Sequence, residues 1–154
     1  MKIAALIILF LLLDSNTANP ALDVQQRELD CLATAIYHEA RGEPTRGQVA
    51  VAAVIENRRR SGLYPGTYCG VVYQKAQFTG IKHARPRFGS RAWAQAMDIA
   101  SKTFKKKLSD PTKGALWYFA HDKIPMPVWV SGKVLTVRIN NHSFYKTGGK
   151  YGTT

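Results

Sequence analysis

The sequence is poor in acidic residues. Only 10 of its 154 residues are Asp or Glu, against 22 Lys and Arg, so the formal net charge is +12 at pH 7. A cationic excess of this size predicts a polyanionic partner, and nucleic acid, anionic lipid and bacterial cell wall all meet that description. Hydrophobic residues make up 45% of the chain, which argues against general disorder.

The sequence also lacks the usual motifs of metal-dependent and nucleophilic enzymes. A zinc-protease His-Glu-x-x-His motif is absent because the residue four positions after His38 is Gly42. No serine lies in a nucleophile-elbow context. The four histidines follow no recognised metal-ligand spacing: His38, His83, His121 and His142. We therefore expect no metal ion and no other cofactor.

No apolar run is long enough for a comfortable membrane span, which needs about 20 residues. The longest run covers residues 3–13; it follows Met1-Lys2 and precedes a polar stretch at residues 14–17. This order is typical of an export signal, so residues 1–21 are predicted to be a signal peptide or, if uncleaved, a signal anchor. Export argues against nucleic acid as the partner and favours cell wall, with contact to an anionic membrane surface.

Cysteine is scarce. Cys31 and Cys69 are the only two in the chain, so an exported protein could form one disulfide with one pairing. Such a bridge would join two separate elements, and closing the loop between them is worth roughly 3–4 kcal/mol. Two buried free thiols are the alternative.

Hydrophobic periodicity predicts helices first and strands later, with no internal repeat and no second domain. Helices are expected at residues 24–41, from a Thr45 cap to residue 60, from a Thr67 cap to residue 73, and from a Ser90 cap to residue 104. Strands are expected at residues 115–120, 129–130, 134–139 and 143–145, with a turn at residues 140–141. This order predicts an α+β domain over residues 22–147, mainly helical with a small C-terminal antiparallel β-sheet, and a flexible tail at residues 148–154.

The most informative carboxylate is Glu39, which falls near the end of the first predicted helix. Gly42 and Pro44 follow it, because glycine suits a left-handed C-terminal cap and proline cannot continue a helix. The helix dipole, partial burial and a nearby Glu43 should all raise the pKa of Glu39, whereas Arg41 should oppose them. A carboxylic acid that stays protonated near neutral pH can donate the proton that breaks a glycosidic bond. A solvated charged helix end is the alternative.

Glu43 is the other carboxylate close to Glu39 in sequence. Glycosidases that hydrolyse their substrate usually need such a second carboxylate at a defined separation. The predicted helix breaks between the two residues, so their separation cannot be derived from the sequence. A single acid suffices if the sugar supplies its own nucleophile. In peptidoglycan the 6-hydroxyl of the muramoyl residue can close on its anomeric carbon and give an anhydro product.

Several segments resemble the SleB/CwlJ-type cell wall hydrolases, a family that includes spore-cortex-lytic enzymes and similar domains in bacteriophage and Gram-negative proteins. The segments are Tyr37-x-Glu39-Ala40-Arg41-Gly42-Glu43, residues 47–54, Asn57-Arg58, Tyr64-Pro65, residues 69–72, Gln77-Phe78 and, more weakly, Gly114-Ala115, Tyr118-Phe119, Trp129 and His142-x-Phe144-Tyr145. The resemblance implies a lysozyme-like fold and muramidase or lytic transglycosylase activity on peptidoglycan. It also implies a catalytic role for Glu39, the first glutamate of the family's Glu-Ala-Arg-Gly-Glu motif.

The predicted activity is cleavage of the bond between N-acetylmuramic acid and N-acetylglucosamine by a monomer in the periplasm, free or held at the inner membrane. A phage endolysin, acting in the periplasm of its host, and a compact bacterial remodelling enzyme both fit. An amidase or peptidase of the stem peptide is an alternative, and so is a non-catalytic basic wall-binding module. The candidate substrate-binding residues are Tyr37, Arg41, Glu43, Gln77, Phe78, Tyr118, Trp129 and His142.

Overall fold

The computed structural model describes residues 19–75 and 85–148, in which helices precede a three-stranded sheet. The helices are α1 (Pro20–Ala40), α2 (Thr45–Arg60), α3 (Tyr68–Val72) and α4 (Arg91–Phe104). The strands are β1 (Trp117–Ala120), β2 (Lys133–Ile139) and β3 (His142–Thr147), and a short 3₁₀ helix (Val128–Val130) lies between β1 and β2. The α+β order predicted from the sequence is confirmed. The predicted signal at residues 1–21 lies mostly outside the described residues, as does most of the tail.

Helix α1 begins four residues before the predicted start. The side chain of Asn19 accepts a hydrogen bond from the backbone N–H of Ala21, and Pro20 occupies the first turn, where its missing N–H costs nothing. The helix ends at Ala40, one residue before the predicted end, and the expected left-handed glycine cap is wrong, since Gly42 does not have a positive φ. Instead the chain turns in a right-handed conformation, and the N–H of Glu43 donates to the carbonyl of Ala40.

Of the caps predicted for the other three helices, two are confirmed and one is wrong. Thr67 and Ser90 cap α3 and α4 through their side chains, as expected. Thr45 does not cap α2, because it is the first helical residue and Pro44 precedes it without a side-chain cap bond. The Thr45 hydroxyl instead accepts a hydrogen bond from the side chain of Gln95, which links α2 to α4.

The sheet is antiparallel with the strand order β1-β3-β2. A two-residue turn joins β2 to β3, and Asn140 takes the left-handed conformation there with φ of 47°. The predicted strand at Trp129-Val130 is wrong: these residues belong to the 3₁₀ helix. Pro127 precedes that helix and accepts a bond from the N–H of Val130, which favours a turn over a ladder.

Helix α2 is the central element because it is buried on two faces. One face packs into the larger helical core with α1, α3 and α4, through residues that include Val51 and Ile55. The other face contributes Ala50 and Val54 to a smaller cluster against the sheet, where Phe144 is fully buried. This arrangement brings the C-terminal end of α1 to the sheet.

A disulfide between Cys31 and Cys69 joins α1 to α3, with the two Cα atoms 5.1 Å apart. The predicted bridge is therefore confirmed. Within the part of the chain that the structure describes, no helix combines the length and apolar character that a membrane crossing would require.

Candidate active site

Glu39 lies in the last turn of α1 and lines a cleft between the helices and the sheet. The hydroxyl of Tyr118, on β1, donates a hydrogen bond to Oε2 of Glu39 over 3.4 Å. The cleft has a volume of about 270 Å³. The described residues that line it are Glu39, Arg58, Tyr118, Phe119, Ala120, Ile124, Trp129 and His142.

The surroundings of Glu39 favour its protonated form. Burial raises the pKa of Glu39 above its ordinary value, and this cause outweighs the two groups that oppose it. The opposing groups are the hydrogen bond from Tyr118 and the positive charge of Arg58. The sequence had pointed to Arg41 as the opposing cation. In the structure Arg41 is exposed, and its guanidinium lies 5.0 Å from the centre of the Tyr37 ring.

Arg58 is a functional candidate that sequence reasoning missed. Its side chain is buried, and its Nε donates to the carbonyl of Leu116 over 2.7 Å. The signal was available, because Arg58 follows Val51 and Ile55 at helical spacing and so falls on the buried face of α2. From the sequence, Arg58 is notable only as part of the segment Asn57-Arg58 that resembles the family and as one of the cations at the end of the second helix. A buried guanidinium beside Glu39 can stabilise the carboxylate that forms when the acid loses its proton.

Glu43 is placed differently from Glu39. It lies in the connection between α1 and α2, and its side chain is only 9% exposed. Its Oε1 is 3.8 Å from Nδ1 of His142, whose side chain is 7% exposed. Burial lowers the pKa of His142, although the charge of Glu43 opposes that shift. Glu43 is not among the described residues that line the cleft, whereas His142 is.

Aromatic side chains form the wall of the cleft on the sheet side. Trp129 is 38% exposed and meets the ring of Phe119 edge-on, with the ring centres 6.0 Å apart. Phe119 in turn stacks on Tyr145 at 5.9 Å. Trp129 therefore has one part packed in an aromatic cluster and another part open to the cleft, which suits contact with the apolar face of a sugar.

Three described residues that were predicted to bind substrate do not line this cleft: Tyr37, Arg41 and Glu43. Tyr37 is buried, packs against Trp93, and its hydroxyl accepts a bond from the backbone N–H of Arg87. Gln77 and Phe78 lie outside the described residues. Their contribution to substrate binding, like that of Tyr37, stays a prediction.

The described residues contain no group of three or more His, Cys, Asp and Glu side chains arranged to hold a metal ion. Within this part of the chain the His142–Glu43 pair is a contact between two protein side chains. The chemistry that the described cleft offers is that of a half-buried carboxylic acid, a phenol and a guanidinium.

The sequence matches a family of known proteins. The family model described as cell wall hydrolase matches residues 42–145, a segment that begins just after Glu39. The chain is 35% identical to the spore cortex-lytic enzyme of Bacillus subtilis over 133 residues, which are 85% of this chain and 41% of that protein. It is 36% identical to the spore cortex-lytic enzyme of Oceanobacillus iheyensis, over 79% of this chain and 42% of that protein. The chain thus spans about two fifths of the length of these curated relatives.

Solved structures show the same similarity. The catalytic domain of the germination-specific lytic transglycosylase SleB from Bacillus anthracis has a TM-score of 0.68 and 32% identity, and the match covers 85% of this chain and 98% of that domain. The catalytic domain of the Bacillus cereus SleB protein has a TM-score of 0.61 and 34% identity, with 79% and 91% covered. These neighbours confirm the expected lysozyme-like fold. Since the family model covers most of the chain and the related domain is covered almost completely, this protein belongs to the cell wall hydrolase family.

Proposed function

We propose that this protein degrades bacterial peptidoglycan by cleaving the bond between N-acetylmuramic acid and N-acetylglucosamine, with Glu39 as its single acid and base. The observation that carries the proposal is the state of Glu39: a half-buried carboxylic acid with a raised pKa that lines an open cleft. The similarity to a domain named as a lytic transglycosylase supports the same reaction class.

In the first half of the reaction, protonated Glu39 donates its proton to the glycosidic oxygen as the bond from that oxygen to the anomeric carbon breaks. Negative charge then develops on Glu39. The positive charge of Arg58 and the hydrogen bond from Tyr118 both stabilise that charge, because each favours the ionised carboxylate. The same two groups also limit the rise in the pKa of Glu39, so that the acid can still release its proton.

In the second half, the Glu39 carboxylate accepts the proton of the muramoyl 6-hydroxyl while that oxygen attacks the anomeric carbon. One carbon–oxygen bond is broken and one is formed, no water is consumed, and Glu39 recovers its proton. This route is favoured over hydrolysis because Glu39 is the one carboxylate among the described residues that line the cleft. A hydrolase that activates water would be expected to present a second carboxylate there.

Charge and the N-terminal segment are consistent with action outside the cytoplasm. A net charge of +12 is complementary to the polyanionic cell wall, which attracts a cationic enzyme to its substrate. Together with the apolar run at residues 3–13, this supports a place in the periplasm, either free or held at the inner membrane.

The test is a digestion of purified peptidoglycan by the protein and by its Glu39→Gln variant, followed by mass spectrometry of the products. The expected result is glycan fragments that end in anhydromuramic acid, each one water lighter than a hydrolytic product, and no such fragments with the variant. Intact glycan strands with new free amino groups and sensitivity to chelators would instead indicate an amidase or peptidase. Full lysis by the variant would contradict a role for Glu39.

A further inference from the structure

The structure contains a buried pair of polar side chains that the reaction above does not use. Glu43 and His142 face each other with Oε1 and Nδ1 3.8 Å apart, too far for a formed hydrogen bond. Oε2 of Glu43 and Nδ1 of His142 are both buried without a hydrogen-bond partner. Burying two such groups costs free energy, so their retention beside an active cleft requires an explanation.

The pair is held in place from several directions. The side chain of Gln48 donates to the backbone carbonyl of Glu43 over 2.9 Å. Gly47 leaves room for Glu43, because a Cβ at that position would lie 2.9 Å from the Glu43 Cβ and 3.0 Å from Nδ2 of Asn140. His142 follows the tight turn at Asn140 and begins β3. The packing therefore fixes both partners closely.

His142 contacts Tyr118, which in turn is hydrogen-bonded to Glu39, the proposed proton donor. In the register of β1 and β3, His142 pairs with Ala120 and Tyr118 with Phe144, so His142 and Tyr118 project from the same face of the sheet. Their rings meet edge-on, with centres 5.3 Å apart and an angle of 72°. Tyr118 also stacks on Phe144, which leaves its hydroxyl directed at Oε2 of Glu39.

We infer that Glu43 and His142 are positioning residues: the pair holds the Tyr118 ring in place, and Tyr118 in turn holds Glu39. This inference rests on the proposed function, in which Glu39 is the acid. It assigns to the second glutamate of the Glu-Ala-Arg-Gly-Glu segment a role that requires no contact with substrate. It also explains why Glu43 is buried while Glu39 lines the cleft.

The charged and titratable groups around this network are few among the described residues. Those that act on His142 are Glu43, Lys123, Asp122 and His121. Those that act on Glu39 are Tyr118 and Arg58. A change in the pKa of Glu39 after substitution of Glu43 or His142 would therefore have to pass through Tyr118 or through direct charge.

The experiment compares Glu43→Gln and His142→Gln with Tyr118→Phe by titrating the Glu39 carboxyl carbon in NMR spectra. If the pair positions Tyr118, both variants loosen the hydrogen bond to Glu39 and raise its pKa, as Tyr118→Phe does. Direct electrostatics gives the opposite sign for Glu43→Gln, because removal of a nearby negative charge lowers the pKa of Glu39. A fall or no change would overturn the inference.

Turnover supplies a second measurement. Initial rates on soluble glycan strands should show about a tenfold lower kcat with little change in KM, less than the loss that a 1 Å misplacement of a reacting group can cause. His142→Gln should cause little further loss in a Tyr118→Phe background, because the two changes act through one contact. Additive losses, or a higher KM with unchanged kcat, would instead indicate direct substrate binding.

Two matched controls separate positioning from stability. Glu56→Gln removes a partly buried carboxylate that bonds to Arg59 and Tyr68, away from the cleft. His121→Gln removes an exposed histidine of the same sheet region, which contacts Ser143. Both should leave the pKa of Glu39 unchanged. Because the NMR titration needs no turnover, it tests the inference even if Glu39→Gln retains activity and the proposed function fails.

Discussion

Glu39 and Glu43 are one helical turn apart in sequence but have opposite surroundings. Glu39 lies in the last turn of a helix, lines an open cleft and accepts a hydrogen bond from the Tyr118 hydroxyl, near the buried guanidinium of Arg58. Glu43 lies just beyond the helix, is almost completely covered and faces a buried histidine. The difference teaches that proximity in sequence does not make two carboxylates a catalytic pair. The helix end between them directs Glu39 to the open cleft and Glu43 to the protein interior.

The largest expected difference is in turnover. Glu39→Gln should lower kcat by about 10²–10⁴-fold, the usual contribution of a general acid, whereas Glu43→Gln should lower it only about tenfold. The measurement is the rate of release of soluble fragments from purified peptidoglycan under matched conditions. Equal losses of kcat in the two variants would contradict the assignment of Glu39 as proton donor and Glu43 as a positioning residue.

The same substitution has a predictable effect on stability. Burial raises the pKa of Glu39 above its unfolded value, so ionised Glu39 destabilises the fold at pH 7. That cost disappears below the unfolded pKa of about 4.3. Glu39→Gln should therefore have a higher Tm than the wild type at neutral pH and an equal Tm near pH 4. A lower Tm at neutral pH would show that the carboxylate stabilises the fold.

Reduction of the disulfide should lower the stability of the fold without changing the different surroundings of Glu39 and Glu43. The bridge closes a sequence separation of 38 residues between α1 and α3, so its loss should lower the free energy of unfolding by about 3–4 kcal/mol. Urea unfolding with and without a reductant measures this change. Below the unfolding transition the pKa of Glu39 should stay the same, and a shift there would indicate that the bridge also positions the acid.

A pair of glycines tests the packing around Glu43. Gly47→Ala places a Cβ 2.9 Å from the Glu43 Cβ, so the protein should lose about 1–2 kcal/mol after the helical preference of alanine offsets part of the strain. Gly42→Ala is the matched control, because a Cβ there has no atom within 4 Å. Urea midpoints compare the two variants. Equal stability would mean that Glu43 can move aside freely.

The smallest expected effect is a displaced pH profile. The Tyr118 hydrogen bond lowers the pKa of Glu39, so Tyr118→Phe should raise that pKa. In the proposed mechanism the protonated form of Glu39 starts the reaction, so the alkaline limb of kcat/KM should move to higher pH. The displacement should be at most about one unit, because a 3.4 Å bond is longer than a usual charge-assisted one. A limb that moves to lower pH would contradict the assignment of Glu39 as the acid.

Local patterns predicted the helices and the position of Glu39 because the helical period and the stop signals are contained in short segments. The predicted end of α1 lies within one residue of the observed end, and the side-chain caps at Thr67 and Ser90 are confirmed. Local patterns gave a wrong prediction where a contact with a residue distant in sequence determines the structure. Thr45 bonds to Gln95 on another helix instead of capping its own.

The site itself was predicted only in part, because its second half depends on long-range pairing. The substrate contact predicted for Tyr118 stays a prediction, but the sequence did not indicate that its hydroxyl bonds to Glu39, which is 79 residues away along the chain. The facing of Glu43 and His142 requires the β2–β3 turn to place β3 beside the α1–α2 connection. Nothing in either segment alone specifies that meeting. The burial of Arg58 was accessible from its spacing in α2, but its proximity to the acid was not.

Helix α2 carries both the folding core and the cation beside the acid, since it packs against helices on one face and the sheet on the other. The rotation of this helix about its axis therefore determines both which residues enter the core and where the Arg58 side chain lies. Inserting one residue ahead of Arg58 would turn that side chain by about 100° around the axis, out of reach of the cleft. A change in the length of this helix would therefore disturb both the core and the place of Arg58 beside Glu39, whereas exposed loops distant from the site tolerate changes in length more readily.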